Sequence, residues 1–284
     1  AITGGLGGLG LQAASLLLQS GAQTVLLASR SGRISGKSTP LPPARVQLAV
    51  SDVGDSAEAR LLLTGNQFMG CLHAAGVLRD RLARTMAAED LKYVFEAKAL
   101  AASHLRCSAA SYPLEVACYF SSVSSFGNIG QANYAAANSY LDSLARGCHV
   151  HGTSTSSLQI PPVSGAGMMT NFDEDQLSGM GAVSLLEFAA CLSLFLAPVQ
   201  ASQLQTLAPL TPKFLEAAGA VIPGASEILQ QADRRGRSSI SSRPEEKCPF
   251  AQELVQLGPS QRRAYAEATV LRVLLELTGT SASS

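Results

Sequence analysis

The sequence predicts an α/β fold in which a doubly wound parallel sheet carries helices on both of its faces. Three observations predict it. Short apolar strands alternate with helical stretches, a glycine-rich loop joins the first strand to the first helix, and polar side chains cluster where strands end. Helical crossovers keep the strands parallel and bring their carboxyl ends to one edge of the sheet, where ligands of such folds bind.

The first strand and its loop predict a dinucleotide site. The chain begins inside a strand at Ala1, so we expect that it is truncated at its N-terminus. After Thr3 comes a GxGxxG pattern, then a helix predicted over 11–20 and a strand over 23–28. This context predicts a Rossmann-type fold, because glycines let the backbone approach a pyrophosphate and the helix N-terminus attracts its charge. The candidate contacts are Gly4, Gly5, Gly7, Gly8, Leu9 and Gly10.

The end of the second strand predicts which cofactor binds. An NAD site places an acid about 20 residues past the glycines, but this chain has Ser29 and Arg30 there. A carboxylate would repel a 2′-phosphate, whereas Arg30 can clamp one and Ser29 can donate to it. The sequence therefore predicts NADPH, with Arg33 as a solvated arginine.

The next two strands complete the predicted cofactor edge. A strand over 46–50 ends at Asp52 and Val53, and an acid there commonly meets an adenine amino group. After a helix over 57–63, a strand over 70–76 ends in the small residues Ala74, Ala75 and Gly76, which let a cofactor lie close.

The fifth strand and the helix after it predict the chemistry. The strand over 116–120 runs into Ser121 and Ser122, and a small-residue helix begins near Ala132 with Tyr134 and Asn138 four residues apart on one face. A serine and a tyrosine at one spot suit holding and protonating a carbonyl oxygen. A long helix over 88–107 precedes them and a sixth strand over 153–159 follows.

Four motifs together resemble the ketoreductase domains of modular (type I) polyketide synthases, within the short-chain dehydrogenase/reductases. They are the glycine loop, His73-Ala-Ala-Gly76, Phe120-Ser-Ser122 and the stretch 130–138. The resemblance covers about residues 1–220. General short-chain dehydrogenases place Lys four residues after the Tyr. The ketoreductases resemble this chain in placing Asn there and Lys on the preceding helix, a role that Lys98 fits.

The resemblance implies a reaction and a role for each residue. NADPH would reduce a β-ketoacyl thioester, with Tyr134 as proton donor and Ser122 bonding the developing oxyanion. Lys98 would lower the pKa of Tyr134, and Asn138 would hold a water or Lys98 in a proton relay. The loop before Tyr134 is one residue shorter than is usual in the family. Counting back from Tyr134 by the family's spacing therefore selects Ser121 as the catalytic serine. Register from the strand selects Ser122, which we prefer because loops absorb deletions.

The resemblance also implies the stereochemistry of the product and a lid over the substrate. B-type members, which give the D-configured hydroxyl, carry Leu-Asp-Asp where this chain reads Leu78-Arg-Asp80, and A-type members carry a tryptophan, which this chain lacks. B-type is therefore favoured, with Asp80, Gln131 and Met168 as candidate substrate residues. The family's Trp-Gly before a proline is replaced by a Pro161-Pro162 segment. Residues 168–191 would form a lid with Gly179 and Gly181 as hinges.

The C-terminal region changes in character. We expect the reductase domain over 1–222, a polar linker over 223–250 and, over 251–284, an isolated helix resembling the start of an acyl carrier domain. The implied partners are a carrier domain bearing a phosphopantetheine-linked β-ketoacyl chain and other domains of the same megasynthase. The open alternatives are an inactive ketoreductase fold acting as a scaffold and a free-standing short-chain alcohol dehydrogenase.

Composition and charge argue against several classes of protein function. The formal net charge of zero argues against nucleic acid as a partner, and no apolar run reaches membrane-spanning length. The six cysteines lack CxxC spacing, so no metal site is expected and a reducing, cytoplasmic location is the default. Targeting to an organelle cannot be decided without the N-terminus.

Overall fold

The computed structural model describes residues 1–34, 41–64, 68–112, 114–150, 154–167, 173–196, 205–206, 261 and 265. Seven strands form one parallel sheet. They are β1 (Ile2–Thr3), β2 (Val25–Ser29), β3 (Val46–Val50), β4 (Gly70–His73), β5 (Val116–Ser122), β6 (Thr155–Ile160) and β7 (Gln205–Thr206). The predicted doubly wound α/β sheet is confirmed, with one more strand than the sequence analysis finds.

Seven α-helices lie in the described part of the chain. They are α1 (Gly8–Gln19), α2 (Ser56–Thr64), α3 (Ala88–Phe95), α4 (Ala101–Ala109), α5 (Ala132–Val150), α6 (Glu174–Gly179) and α7 (Leu185–Phe195). A π-helical turn, Glu96–Leu100, joins α3 to α4. The structure thus contains the helical segment predicted over 88–107, but this segment includes a π-helical turn that its sequence does not indicate.

The strand order places the candidate site. It reads β3-β2-β1-β4-β5-β6-β7, so the chain winds outward from β1 to β3 and then crosses back to β4 on the other side of β1. The loops that leave β1 and β4 therefore diverge. A crevice at such a switch point is where ligands bind in open α/β sheets.

Apolar side chains from alternate strand positions pack on the two faces of the sheet. On one face α1 and α7 cover β1, β5 and β6, with Phe188 fully buried and in edge contact with Phe120. On the other face α2 and α4 pack against Leu26 and Cys71. Fully burying one such Leu or Phe stabilises the fold by about 1.5–3 kcal/mol.

The predicted lid over 168–191 is wrong in its second half. Residue Val163 pairs with Val183 in an isolated bridge, and Phe188 and Leu192 of α7 are buried in the core. The apolar face of α7 therefore fixes this segment against the sheet. Met168, a predicted substrate residue, lies outside the described residues, and Gly181 adopts a left-handed φ of 68°.

Residue contacts divide the chain into two compact units, residues 1–229 and 230–284. The domain limits predicted at 222 and 250 remain predictions. Of the predicted C-terminal helix, Gln261 and Tyr265 are described and both are helical. Across the described ranges, none of the helices is both long enough and apolar enough to cross a membrane.

Candidate active site

The N-terminus of α1 offers free backbone donors at the switch point. Its N-cap is Gly7, which has no side chain to cap the helix, and its first turn contains no acid. The first N–H groups of a helix have no partner within it, and the helix dipole makes them attract anions. The geometry therefore fits the predicted pyrophosphate contacts, whose binding role stays a prediction.

Close packing against backbone atoms requires glycine at Gly4, Gly5, Gly8 and Gly10 independently of any ligand. A Cβ on Gly4, whose φ is 67°, would lie 2.5 Å from the backbone of Ala75, and a Cβ on Gly8 would lie 2.3 Å from the nitrogen of Gly167. Leu9 packs its side chain against the core. The loop is thus pressed between the end of β4 and the segment after β6, which brings three of the predicted site segments together.

The side chain of Arg30 reaches across the edge of the sheet towards α3. Its guanidinium carbon lies 5.8 Å from the centroid of the Tyr93 ring, and that of Arg79 lies 4.7 Å from the same centroid. Ser29 Oγ accepts a hydrogen bond from Gly32 N at 3.0 Å, which leaves the hydroxyl proton free to donate. The contact of Tyr93 with these two arginines was not predicted, because an aromatic residue on a helix is usually interpreted as a packing residue.

The predicted cofactor residues that follow β3 and β4 differ in their hydrogen-bond partners. Asp52 Oδ1 accepts from Gly54 N at 3.0 Å, so this oxygen already has a partner, and Val53 is buried. Ser51 Oγ is buried and has no hydrogen-bond partner among the described residues. Ala74 N donates to Thr3 O at 2.9 Å, which holds the Ala74-Ala-Gly76 segment beside the glycine loop.

Ser122 and Tyr134 meet at the carboxyl end of β5. Ser122 acts as a hydrogen-bond partner of the Tyr134 phenol, and its Oγ also accepts from Ser124 N at 3.2 Å. Ser121 is buried and donates to the Asn138 carbonyl at 3.3 Å, beneath α5. Side chains alternate along a strand, so the strand register favours Ser122 over Ser121 as the side chain that faces the tyrosine.

Lys98 lies at the same place although it comes from another helix. Its Nζ donates to the Phe120 carbonyl at 2.7 Å and lies 5.4 Å from the centroid of the Tyr134 ring. Only 3% of the residue is exposed. Burial lowers the pKa of Lys98 to about 7, and the charge of Asp142 acts in the opposite direction. Such a lysine exchanges protons readily at neutral pH.

Asn138 holds the backbone of Tyr134 and presents a free acceptor. Its Nδ2 donates to the Tyr134 carbonyl at 2.8 Å, one helical turn back. Its Oδ1 is buried and accepts from no described group. An unsatisfied buried acceptor costs about 1–3 kcal/mol, so this oxygen suits a proton-carrying partner such as a water or an ammonium.

The prediction that Lys98 lowers the pKa of Tyr134 is wrong for this structure. Burial raises the pKa of Tyr134 above its usual value, hydrogen bonding with Asn138 and Ser122 opposes the rise, and Asp80 adds to it. Desolvation disfavours the phenolate. With a pKa of about 7, the Lys98 side chain is only partly charged at neutral pH. The neutral phenol is the form that donates a proton.

A buried acid that was not predicted, Asp142, acts on Lys98 through its charge. Asp142 lies eight residues after Tyr134 on α5, accepts from Ser157 Oγ at 2.6 Å and accepts from Gln159 Nε2 at 2.7 Å. It is 6% exposed. Its i+4 spacing from Asn138 could have found it, but an acid inside a helix is usually solvated.

The two remaining substrate candidates contact each other. Gln131 Nε2 donates to Asp80 Oδ2 at 3.0 Å, and Gln131 Oε1 accepts from Asn128 Nδ2 at 2.8 Å. Asn133 Nδ2 donates to the Arg79 carbonyl at 2.9 Å. The loop after β4 is therefore tied to the residues that begin the Tyr134 helix.

Metal ligands and disulfides are both missing from the part of the chain that the structure describes. No group of three His, Cys, Asp or Glu side chains gathers there. The described cysteines are free thiols, and Cys71 and Cys118 are buried as small core residues.

Comparison with known proteins identifies a family. The KR domain family matches residues 1–165. Polyketide synthase GfsA of Streptomyces halstedii is 35% identical over 189 residues, which are 63% of this chain and 2% of that protein. Reducing polyketide synthase DEP5 of Alternaria brassicicola is 33% identical over 264 residues, 85% of this chain and 11% of that protein. The chain thus spans a small part of these relatives.

Solved structures agree in fold. A structure described as an A1-type ketoreductase has a TM-score of 0.68 and 28% identity, covering 78% of this chain and 50% of that one. The ketoreductase from the first module of phoslactomycin biosynthesis in Streptomyces sp. HK803 has a TM-score of 0.65 and 30% identity, covering 78% of this chain and 55% of that one.

Proposed function

The chain belongs to the ketoreductase (KR) domain family of polyketide synthases, in the short-chain dehydrogenase/reductase superfamily, and we propose that it reduces a β-ketoacyl thioester to a β-hydroxyacyl thioester with NADPH. The family consists of oxidoreductases that use a nicotinamide cofactor for ketoreduction in polyketide elongation. The observation that carries the proposal is the meeting of Tyr134, Ser122 and Lys98 at the carboxyl end of β5, on the same edge of the sheet as the glycine loop that follows β1.

The proposed mechanism assigns one task to each of these side chains. When bound, a nicotinamide cofactor would supply the hydride that the β-carbon of the substrate accepts. Negative charge then develops on the ketone oxygen, Ser122 donates a hydrogen bond to it, and Tyr134 transfers its phenolic proton to it. The Lys98 ammonium returns a proton to the phenolate, and Asn138 Oδ1 accepts a hydrogen bond from that ammonium or from a water that relays the proton. The neutral Tyr134 of the structure is the form that this sequence of transfers starts from.

Turnover of a simple substrate tests the proposal. Purified protein is mixed with NADPH and a β-ketoacyl N-acetylcysteamine thioester, and the loss of nicotinamide absorbance is followed. NADPH oxidation that depends on the thioester supports a reductase. Cofactor binding without turnover would instead favour the scaffold function, with the short loop before Tyr134 or the Pro161-Pro162 segment as the cause.

Arg30→Ala is expected to weaken NADPH binding by about tenfold to a hundredfold, since a charged hydrogen bond contributes about 1.5–3 kcal/mol. NADH has no 2′-phosphate, so its affinity should stay within about twofold. Dissociation constants for both cofactors are measured by fluorescence titration. Arg33→Ala, three residues along the same loop, is the control and should leave both constants unchanged. An equal loss for both cofactors would contradict the 2′-phosphate role.

The product is expected to be the D-configured alcohol of B-type members. Support comes from Asp80, which keeps the final acid of the Leu-Asp-Asp pattern and is held by Gln131, and from the lack of tryptophan. Chiral chromatography of the product measures the enantiomer ratio. Asp80→Ala should lower that ratio, whereas Asp80→Asn keeps an oxygen for Gln131 and should preserve it. A predominantly L-configured product from the unaltered protein would contradict the assignment.

The substrate is proposed to arrive on a carrier domain. The relatives that match are long polyketide synthases of which this chain spans a small part. A phosphopantetheine-linked β-ketoacyl chain is the form in which such a synthase would present its intermediate. We propose other domains of the same megasynthase as partners, with residues 223–250 as linker and residues 251–284 as the beginning of a carrier domain.

A further inference from the structure

A buried histidine holds the backbone of the turn that carries Lys98. His73 Nε2 lies 3.0 Å from the Lys98 carbonyl oxygen, and His73 Nδ1 lies 2.7 Å from Thr3 Oγ1. His73 is fully buried and Thr3 is 1% exposed. The contact joins β1 and β4 to the helix that packs over them.

Hydrogen-bond chemistry fixes the direction of this chain. A carbonyl oxygen only accepts, so His73 must carry its proton on Nε2 and donate it to Lys98 O. Nδ1 is then an acceptor, and the Thr3 hydroxyl donates to it. Burial, followed by the charge of Lys98, lowers the pKa of His73 to about 3, so the ring remains the neutral donor at neutral pH.

The turn needs such support because it departs from α-helical geometry. Residues Glu96–Leu100 form a π-helical turn with Lys98 in its middle. Ala101 N donates to Glu96 O across this turn and also to Lys98 O. Single π-helical turns inside α-helices are rare and concentrate at functional sites. The His73 donor adds a bond to a carbonyl of this turn from outside the helix.

We propose that His73 is a positioning residue, whose Nε2–H bond to the Lys98 carbonyl holds the π-helical turn that directs the Lys98 ammonium to the Phe120 carbonyl and the Tyr134 ring. This inference rests on the proposed catalytic role of Lys98. Lys98 is on a different helix from Tyr134, so only tertiary contacts set their separation. Thr3 assists by fixing the tautomer of His73.

The environment of Lys98 gives a readout that does not depend on turnover. The titratable groups around Lys98 are Asp142, whose charge raises the pKa of Lys98, Tyr134, whose ring lies 5.4 Å from Nζ, and His73, whose own pKa the charge of Lys98 lowers. The sequence has five lysines, so the Nζ resonance of Lys98 can be assigned in ¹⁵N-lysine-labelled protein with a Lys98→Met sample. Its titration is then followed from pH 5 to pH 10 in each variant.

His73→Leu, which removes both ring nitrogens, should shift the Lys98 titration by about half a pH unit or more. It should also lower kcat about tenfold to a hundredfold with little change in KM, because a misplaced catalytic group loses rate rather than binding. His73→Gln keeps one donor and one acceptor and should restore both readouts to within about threefold. Leu72→Ala, on the other face of β4, controls for loss of core packing.

Two results would overturn the proposal. One is a His73→Leu protein whose Lys98 titration and kcat match those of Leu72→Ala at equal urea midpoints, which would make His73 a core residue only. The other is a folded His73→Gln protein in which Lys98 titrates as in His73→Leu. If the unaltered protein shows no turnover, the proposed function fails while the NMR titration still decides the positioning role.

Discussion

Tyr134→Phe is expected to lower kcat by about a hundredfold to ten-thousandfold while NADPH affinity stays unchanged. The substitution removes only the phenolic oxygen, which the proposed mechanism uses as proton donor, and it keeps the ring that Lys98 approaches. Stopped-flow or steady-state absorbance measures kcat, and fluorescence titration measures cofactor binding. The loss should lie in kcat rather than in KM, because the proton is transferred only in the transition state.

Tyr140→Phe is the matched control for this substitution. Tyr140 lies on the same helix, six residues after Tyr134, and its hydroxyl is 2.6 Å from Ser103 Oγ. Removing that hydroxyl breaks one exposed hydrogen bond and should leave kcat within about twofold. A Tyr134→Phe protein that retains more than about a tenth of the original kcat would show that another group donates the proton.

The parts of the site that were predictable follow from local rules. The glycine loop, the bounds of β3 and the start of α5 at Ala132 were found from turn residues and apolar periodicity, since each is set by its own sequence. Ser122 was preferred over Ser121 from the register of the strand, because loops absorb deletions, and the hydrogen bonds of both residues agree with that preference.

Other features depend on tertiary contacts that one segment cannot reveal. The residues 96–100 read Glu-Ala-Lys-Ala-Leu, a set of good helix formers, so nothing local indicates a π-helical turn. Strand β7 has two residues, too few for a periodicity. The lid was implied by the family resemblance, with two glycines as hinges, whereas the burial of Phe188 depends on β5 beneath it. The raised pKa of Tyr134 likewise follows from burial, which composition does not report.

Burial of Lys98 is expected to have a large effect on how the free energy of unfolding depends on pH. From pH 7 to pH 9 the free energy of unfolding should rise by about 2 kcal/mol more in the unaltered protein than in a Lys98→Met variant. The pKa of Lys98 is about 7 in the folded protein against 10.5 for a free lysine. Between these values the unfolded chain binds more protons, so raising the pH favours the folded state. The cost of burying the ammonium is full below pH 7 and disappears above pH 10.5.

Comparing two proteins is necessary because other buried groups act in the opposite direction. Burial raises the pKa values of Cys71, Cys118, Tyr119 and Tyr134, so their ionisation in the unfolded chain lowers stability as pH rises. These contributions are common to both proteins and cancel in the difference. Urea unfolding at pH 7, 8 and 9 gives each free energy.

Lys92→Met provides the control on the same helix. Lys92 is exposed and pairs with Glu96 at 3.6 Å, one turn along the surface, so this substitution should leave the pH dependence of the unaltered protein intact. Parallel stability curves for the unaltered protein and Lys98→Met would mean that the ammonium of Lys98 keeps its ordinary pKa. A lysine that loses its proton near neutral pH can instead give that proton back to Tyr134 in each catalytic cycle, so this stability measurement also tests the proposed relay without any substrate.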